Sequence, residues 1–250
     1  MRSELKLEVC ANSVESAIMA QKGGAHRVEL CDNIYEGGTT PSYGSILIAR
    51  ETLNIDLNII IRPRGGDFYY SDLEFEIMKK DVEFAKQVGV DGVVIGLLNT
   101  DGNIDKKRTA ELVKLANPMS VTFHRAFDVC NDPFQALEDI INCGCNRILT
   151  SGQKNKAFDG IVLIRTLVEK ANDRIIIMSG SGINEDNISE IHHKTDANEF
   201  HASLRNPKEN GMVFRKKEIE MSSIPNISEF EKLVTDPKRV KKIIKILNTL

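Results

Sequence analysis

The chain has 250 residues, with 33 Lys and Arg against 36 Asp and Glu and a net charge of −3, a balance that argues against a broad nucleic-acid or membrane footprint. Apolar residues make up 41% before 17 Gly are counted, which allows a sizeable core and excludes wholesale disorder. Five Cys are too sparse, and odd in number, for a disulfide scaffold.

In chain order, Met1-Arg-Ser-Glu-Leu-Lys-Leu-Glu-Val-Cys10 reads as a first strand rather than a secretory leader. No later stretch approaches the roughly 18 apolar residues of a membrane span. The sequence therefore predicts a cytoplasmic chain with reduced thiols and no membrane partner. Candidate strands, most of them carrying Val or Ile, follow at Arg27–Cys31, Asn58–Arg62, Gly92–Gly96, Ser120–His124, Arg147–Thr150, Arg174–Met178 and Glu199–His201. With Leu5–Cys10 that makes eight, each pair separated by enough chain for a crossover helix. Three strand entries repeat a helix-ending glycine: Gly24-Ala-His-Arg-Val-Glu-Leu30, Gly89-Val-Asp-Gly-Val-Val-Ile95 and Gly144-Cys-Asn-Arg-Ile-Leu-Thr150. Asp236-Pro237 opens a last helix whose Val240, Ile243, Ile244 and Leu247 recur at helical spacing. The polar, Lys-rich stretch 206–223 before it reads as a mobile insertion. Regular βα alternation without a composition break predicts an α/β fold, a single (β/α)8 TIM barrel over 1–250.

Strand side chains alternate between faces, so the strongly apolar parity belongs against the helices. That rule turns Lys6, Glu8 and Cys10 inward on the first strand, Arg27, Glu29 and Cys31 on the second, and Ile60, Arg62 and Arg64 on the third. It also turns Thr122 and His124 inward on the fifth, and Glu199 and His201 on the last. Barrel interiors are mostly branched apolar side chains, so such polarity is a departure. Either an ion-pair network plugs the barrel, or its upper layer is a binding or catalytic floor. Cys10, Cys31, Arg62, His124 and His201 all end their strands, where such barrels carry their sites.

Several segments resemble the copper homeostasis protein CutC family. They are Leu7-Glu-Val-Cys-Ala-Asn-Ser13, Gly24 to Asp32 with Glu36-Gly-Gly-Thr-Thr-Pro-Ser-Tyr-Gly44, Arg62-Pro-Arg-Gly-Gly-Asp-Phe68, Val94-Ile-Gly-Leu-Leu98, Thr122-Phe-His-Arg-Ala-Phe-Asp128, Leu149-Thr-Ser-Gly-Gln153 and Ser179-Gly-Ser-Gly-Ile183. The resemblance implies a cytosolic single-domain barrel, association with Cu(I), and a homo-oligomer. It places Cys10 and Cys31 at the positions suggested as copper ligands. Soft cuprous copper does prefer thiolates. The alternative is that both thiols are inert buried hydrophobes. Cys143 and Cys145 precede a strand at the structural end, and Cys130 has no evident partner.

A competing reading makes the chain an enzyme. Ser179-Gly-Ser-Gly-Ile183 follows the seventh strand, where such barrels often bind phosphate through backbone N–H groups. A small phosphorylated or carboxylated metabolite would be held by Arg62, Arg64, His201 and the Ser181–Gly182 backbone. Glu8 or Glu29 would be the general base and His124 the acid or oxyanion partner, as in isomerase- or aldolase-like proton transfer. His192 and His193 differ in parity, so one metal cannot take both.

Overall fold

The apolar runs are four to six residues long and cannot bury themselves alone, so they find cover by pairing edge to edge beneath a ring of helices. In the computed structural model, which describes residues 4–216, 218, 219 and 228–250, they form β1 (Lys6–Ala11), β2 (Arg27–Leu30), β3 (Asp56–Ile60), β4 (Gly92–Ile95), β5 (Ser120–Phe123), β6 (Arg147–Thr150), β7 (Ile176–Gly180) and β8 (Glu199–Ala202). These pair in sequence order, all parallel, and β8 returns to β1 to close the barrel. The surrounding helices are α1 (Val14–Lys22), α2 (Tyr43–Thr52), α3 (Asp72–Val88), α4 (Lys106–Ala116), α5 (Pro133–Cys143), α6 (Ile161–Ala171), α7 (Ile188–Thr195) and α8 (Pro237–Leu247). The expected eight-stranded barrel is therefore present, and each expected strand overlaps an observed one.

Helix ends follow from local chemistry. Ser13, Ser42, Asp132 and Asp236 accept backbone N–H groups at the starts of α1, α2, α5 and α8, each satisfying a donor that has no intrahelical partner. At α3 the cap is reciprocal: the Ser71 hydroxyl accepts from Glu74 N–H, and the Glu74 carboxylate accepts from Ser71 N–H. Gly89 and Gly144 end α3 and α5 at φ 76° and 87°, a left-handed turn that favours glycine.

The main core lies between sheet and helices. Leu7, Val9, Val28, Leu30, Ile59, Val121, Phe123 and Phe200 are fully or almost fully buried on the outward face of the strands, as alternation predicts. The opposite face carries a small apolar cluster of Cys31, Ile60 and Val94 with Cys10 and Ile34. No helix among the described residues is long and apolar enough to cross a membrane.

After β8 the chain leaves the barrel. Arg205–Glu209 (β9) pairs antiparallel with Glu231–Thr235 (β10), and Lys208 and Lys232 both reach Glu15 at the start of α1. The sequence opens a mobile insertion at 206, but residues 206–209 belong to this ribbon. The Arg205-Asn-Pro-Lys-Glu209 pattern hides a strand because it lacks apolar alternation. Pro207 is tolerated because a two-stranded ribbon leaves edges where a missing N–H breaks no ladder. Residues 217 and 220–223 of the expected insertion lie outside the described residues. The chain then re-enters the fold as α8, burying Val240, Ile243 and Leu247 as predicted and leaving Lys238, Lys241, Lys242 and Lys245 exposed.

Candidate functional site

The interior has two polar tiers, fixed by strand register. In the lower tier Glu8 sits beside Arg27 on one neighbouring strand and His201 on the other. Arg27 Nε donates to Glu8 Oε2 at 2.5 Å, and its Nη2 donates to Glu199 Oε2 at 2.6 Å. Arg147 Nε donates to the same Glu199 oxygen at 2.7 Å, and Asn58 Nδ2 donates to Glu8 at 3.2 Å. Burial pushes the Glu8 carboxyl up, but Arg27 and His201 outweigh it and hold Glu8 well below the usual carboxylate range. Burial opposes the Arg27 charge too, and the carboxylates of Glu8 and Glu199 more than restore it. These charges are matched, so the tier is an ionic plug.

Above the plug a cavity of about 300 Å³ opens at the strand ends. Cys10, Glu29, Cys31, Arg62, His124 and His201 line it, with Ile60, Phe68 and Leu149 as its apolar wall. The Cys10 and Cys31 sulfurs are 3.8 Å apart, although the strand partner of Cys10 is Glu29 rather than Cys31. One donor atom each from Cys10, Glu29 and His201 lies within 4.8 Å of the others. His201 Nδ1 is 2.7 Å from Glu8 Oε1 and 3.4 Å from Glu29 Oε2.

The protonation pattern has clear causes. The hydrogen bond with Cys31 and burial raise the Cys10 thiol well above its ordinary value. Burial pushes Glu29 up to about 8, further than neighbouring His201 pulls it down. Burial opposes charge on His201, but Glu29, Cys10 and Glu8 outweigh it and raise the imidazole well above its ordinary value. Burial, then Arg62, lowers His124 to about 3. Its Nδ1 accepts the Ala126 N–H at 3.1 Å, so the neutral ring carries its proton on Nε2.

Six residues singled out from the sequence thus converge on one cavity. Glu8, the other candidate base, lies beneath it with both oxygens engaged. Arg64 turns away, because alternation stops governing direction where the strand ends. Its guanidinium donates to Glu74 and Asp67 instead. Ser181 and Gly182 do not line the cavity either. Ser181 Oγ donates to Asn155 O, and Gly182 O accepts from the Asn184 and Asn187 side chains, contacts that tie this turn to its own loops. Sequence reading missed Arg147 and Leu149, whose inward parity on β6 the same alternation count would have shown. It also missed Asp128, which accepts from Thr150 Oγ1, Ser151 N–H and Arg125 Nε at the rim. His192 and His193 bind separate backbone carbonyls, of Ala197 and Ser189.

The sequence profile described as the CutC family matches residues 5–206. A CutC family protein of Bacteroides fragilis is 53% identical over 243 residues, covering 97% of both chains. The human copper homeostasis protein cutC homolog is 45% identical over 237 residues, covering 95% of this chain and 87% of the human one. A solved CutC structure from Streptococcus agalactiae superposes with a TM-score of 0.76 at 36% identity, covering 80% of this chain and 98% of the other.

Proposed function

This chain belongs to the CutC family, and on that premise we propose that it serves copper homeostasis by holding Cu(I) at the barrel mouth through Cys10 and Cys31. The observation that carries this reading is the convergence of two thiols, an imidazole and a carboxyl on one cavity. The donor set suits a soft ion: thiolate sulfur favours Cu(I), and imidazole is a competent neighbour. Glu8 holds His201 Nδ1 from behind, the arrangement by which a carboxylate orients a metal-binding histidine. Cys130 and Cys145 are also buried, but neither lines this cavity. Copper is the cargo here, and the chain's part is to present the ligands and shield them from bulk water. A cytoplasmic setting and a homo-oligomer belong to the same proposal. The five free cysteines support a reducing compartment.

The test is anaerobic Cu(I) titration of reduced protein against a strong chelator. The wild type should keep copper at chelator levels that strip the Cys10→Ser/Cys31→Ser double variant, by roughly a hundredfold or more in affinity. His201→Asn should fall between them. A wild type no tighter than the double variant removes these thiols from the function.

A second reading, proton transfer on a small anionic metabolite, draws support from Glu29 and His124 in the same cavity. Glu29 makes no ion pair with an arginine or lysine among the described residues, which leaves its carboxyl open to a ligand.

A further inference from the structure

Three arginines are buried among the described residues, and they are not alike. Arg27 and Arg147 are each matched by glutamates. Arg62, only 4% exposed, makes no ion pair among the described residues. Its Nη1 donates to Glu36 O and Gly38 O at 2.8 and 2.7 Å, and its Nη2 donates to Gly66 O at 2.8 Å. Backbone carbonyls fix and solvate the guanidinium but leave its charge uncancelled, a costly state for a buried cation. Its Nε has no hydrogen-bond partner within normal distance among the described residues. His124, 5% exposed, repeats the pattern, because its Nε2 is also buried without a hydrogen-bond partner among the described residues. The two flank one aromatic ring: Arg62 Cζ lies 5.2 Å from the Phe68 centroid, and the His124 ring lies 5.0 Å from it. All three residues line the cavity.

We propose that this wall binds a small organic carboxylate, whose oxygens take the N–H groups of Arg62 and His124 while its carbon skeleton lies against Ile60, Phe68 and Leu149. One uncancelled positive charge calls for one negative charge, and two single donors suit the two oxygens of a carboxylate. A phosphate dianion fits less well, since the Ser181–Gly182 backbone that would serve it lies outside the cavity. The cavity volume sets the scale, a metabolite of a few carbons rather than a nucleotide or a peptide. The proposal deepens the second reading by naming its substrate class. It rests on that reading only for the shared cavity, because the carboxylate can bind whether or not any turnover follows.

Calorimetric titration of the reduced, metal-free protein with pyruvate, acetate and inorganic phosphate tests it. Saturable binding of pyruvate, tighter than that of phosphate, is expected. Arg62→Gln and His124→Phe should each weaken it at least about tenfold, the effect of losing a charge-assisted or buried hydrogen bond. Arg62→Gln also frees three loop carbonyls, so His124→Phe, which leaves those bonds in place, is the decisive variant. Partial recovery in His124→Gln, which restores an N–H donor, is the matching control. The Cys10→Ser/Cys31→Ser variant should bind pyruvate within about twofold of wild type, so failure of the copper reading leaves this one standing. The proposal falls if the folded wild type binds neither carboxylate, if phosphate binds more tightly, or if His124→Phe binds pyruvate as the wild type does.

Discussion

Gly96 shows how closely the mouth is fitted around its functional side chains. A Cβ there would lie 2.3 Å from both Cε1 and Nδ1 of His124, a clash that only movement of the ring or strand can relieve. Gly96→Ala should therefore destabilise the fold by about 1–3 kcal/mol, the usual cost of overpacking. It should also weaken carboxylate binding by displacing the imidazole. An unchanged melting temperature with unchanged binding would show that His124 is free to yield. At this scale the sequence was informative about direction and silent about depth. Alternation correctly turned Glu8 and Glu29 to the same interior. Which of them meets the cavity depends on the height each reaches along the barrel axis, and a period of two carries no such information. Arg64 was misjudged for a related reason: two residues past Arg62 the strand has ended.

Helix α3 holds one edge of the mouth through its first turn. Glu74 completes the reciprocal cap with Ser71, and it also accepts Arg64 Nε at 2.5 Å, tying the loop after β3 to the helix. Ser71→Ala should cost about 1 kcal/mol in urea unfolding. Ser71→Asp, which keeps an oxygen acceptor, should recover most of it. Equal stability of wild type and Ser71→Ala would mean that solvent satisfies the helix start just as well. The main elements were legible because their signals are strong: eight strand-sized runs, all but the last with β-branched residues, capping residues before the helices, and glycines after several of them. The β9–β10 ribbon was not, because its strands carry little apolar content and draw their register from Lys208, Lys232 and Glu15, a contact between residues more than 190 positions apart.

Across the whole molecule, Glu199 on β8 joins β2 and β6 through Arg27 and Arg147. Burial alone would raise its carboxyl, but the two guanidiniums outweigh burial and lower it. A carboxyl whose folded pKa lies below its unfolded value contributes stability above the unfolded value, and that contribution is lost as pH falls through the folded one. The unfolded value is about 4.3. Acidification below roughly pH 4.5 should thus erode wild-type stability more steeply than that of Glu199→Gln. At neutral pH the variant should already be weaker by about 3 kcal/mol, since removing one partner strands buried guanidinium charge. Parallel pH profiles for the two proteins would show that the floor carries no such linkage.

That floor has a further consequence for traffic. Because these matched charges lie across the barrel beneath the cavity, the mouth opens into a cup and not a tube. Anything taken in at the mouth must leave by the same opening, so a donor and an acceptor cannot be served from opposite ends at once. On the proposed copper role, delivery and collection would therefore alternate, each visitor departing before the next docks.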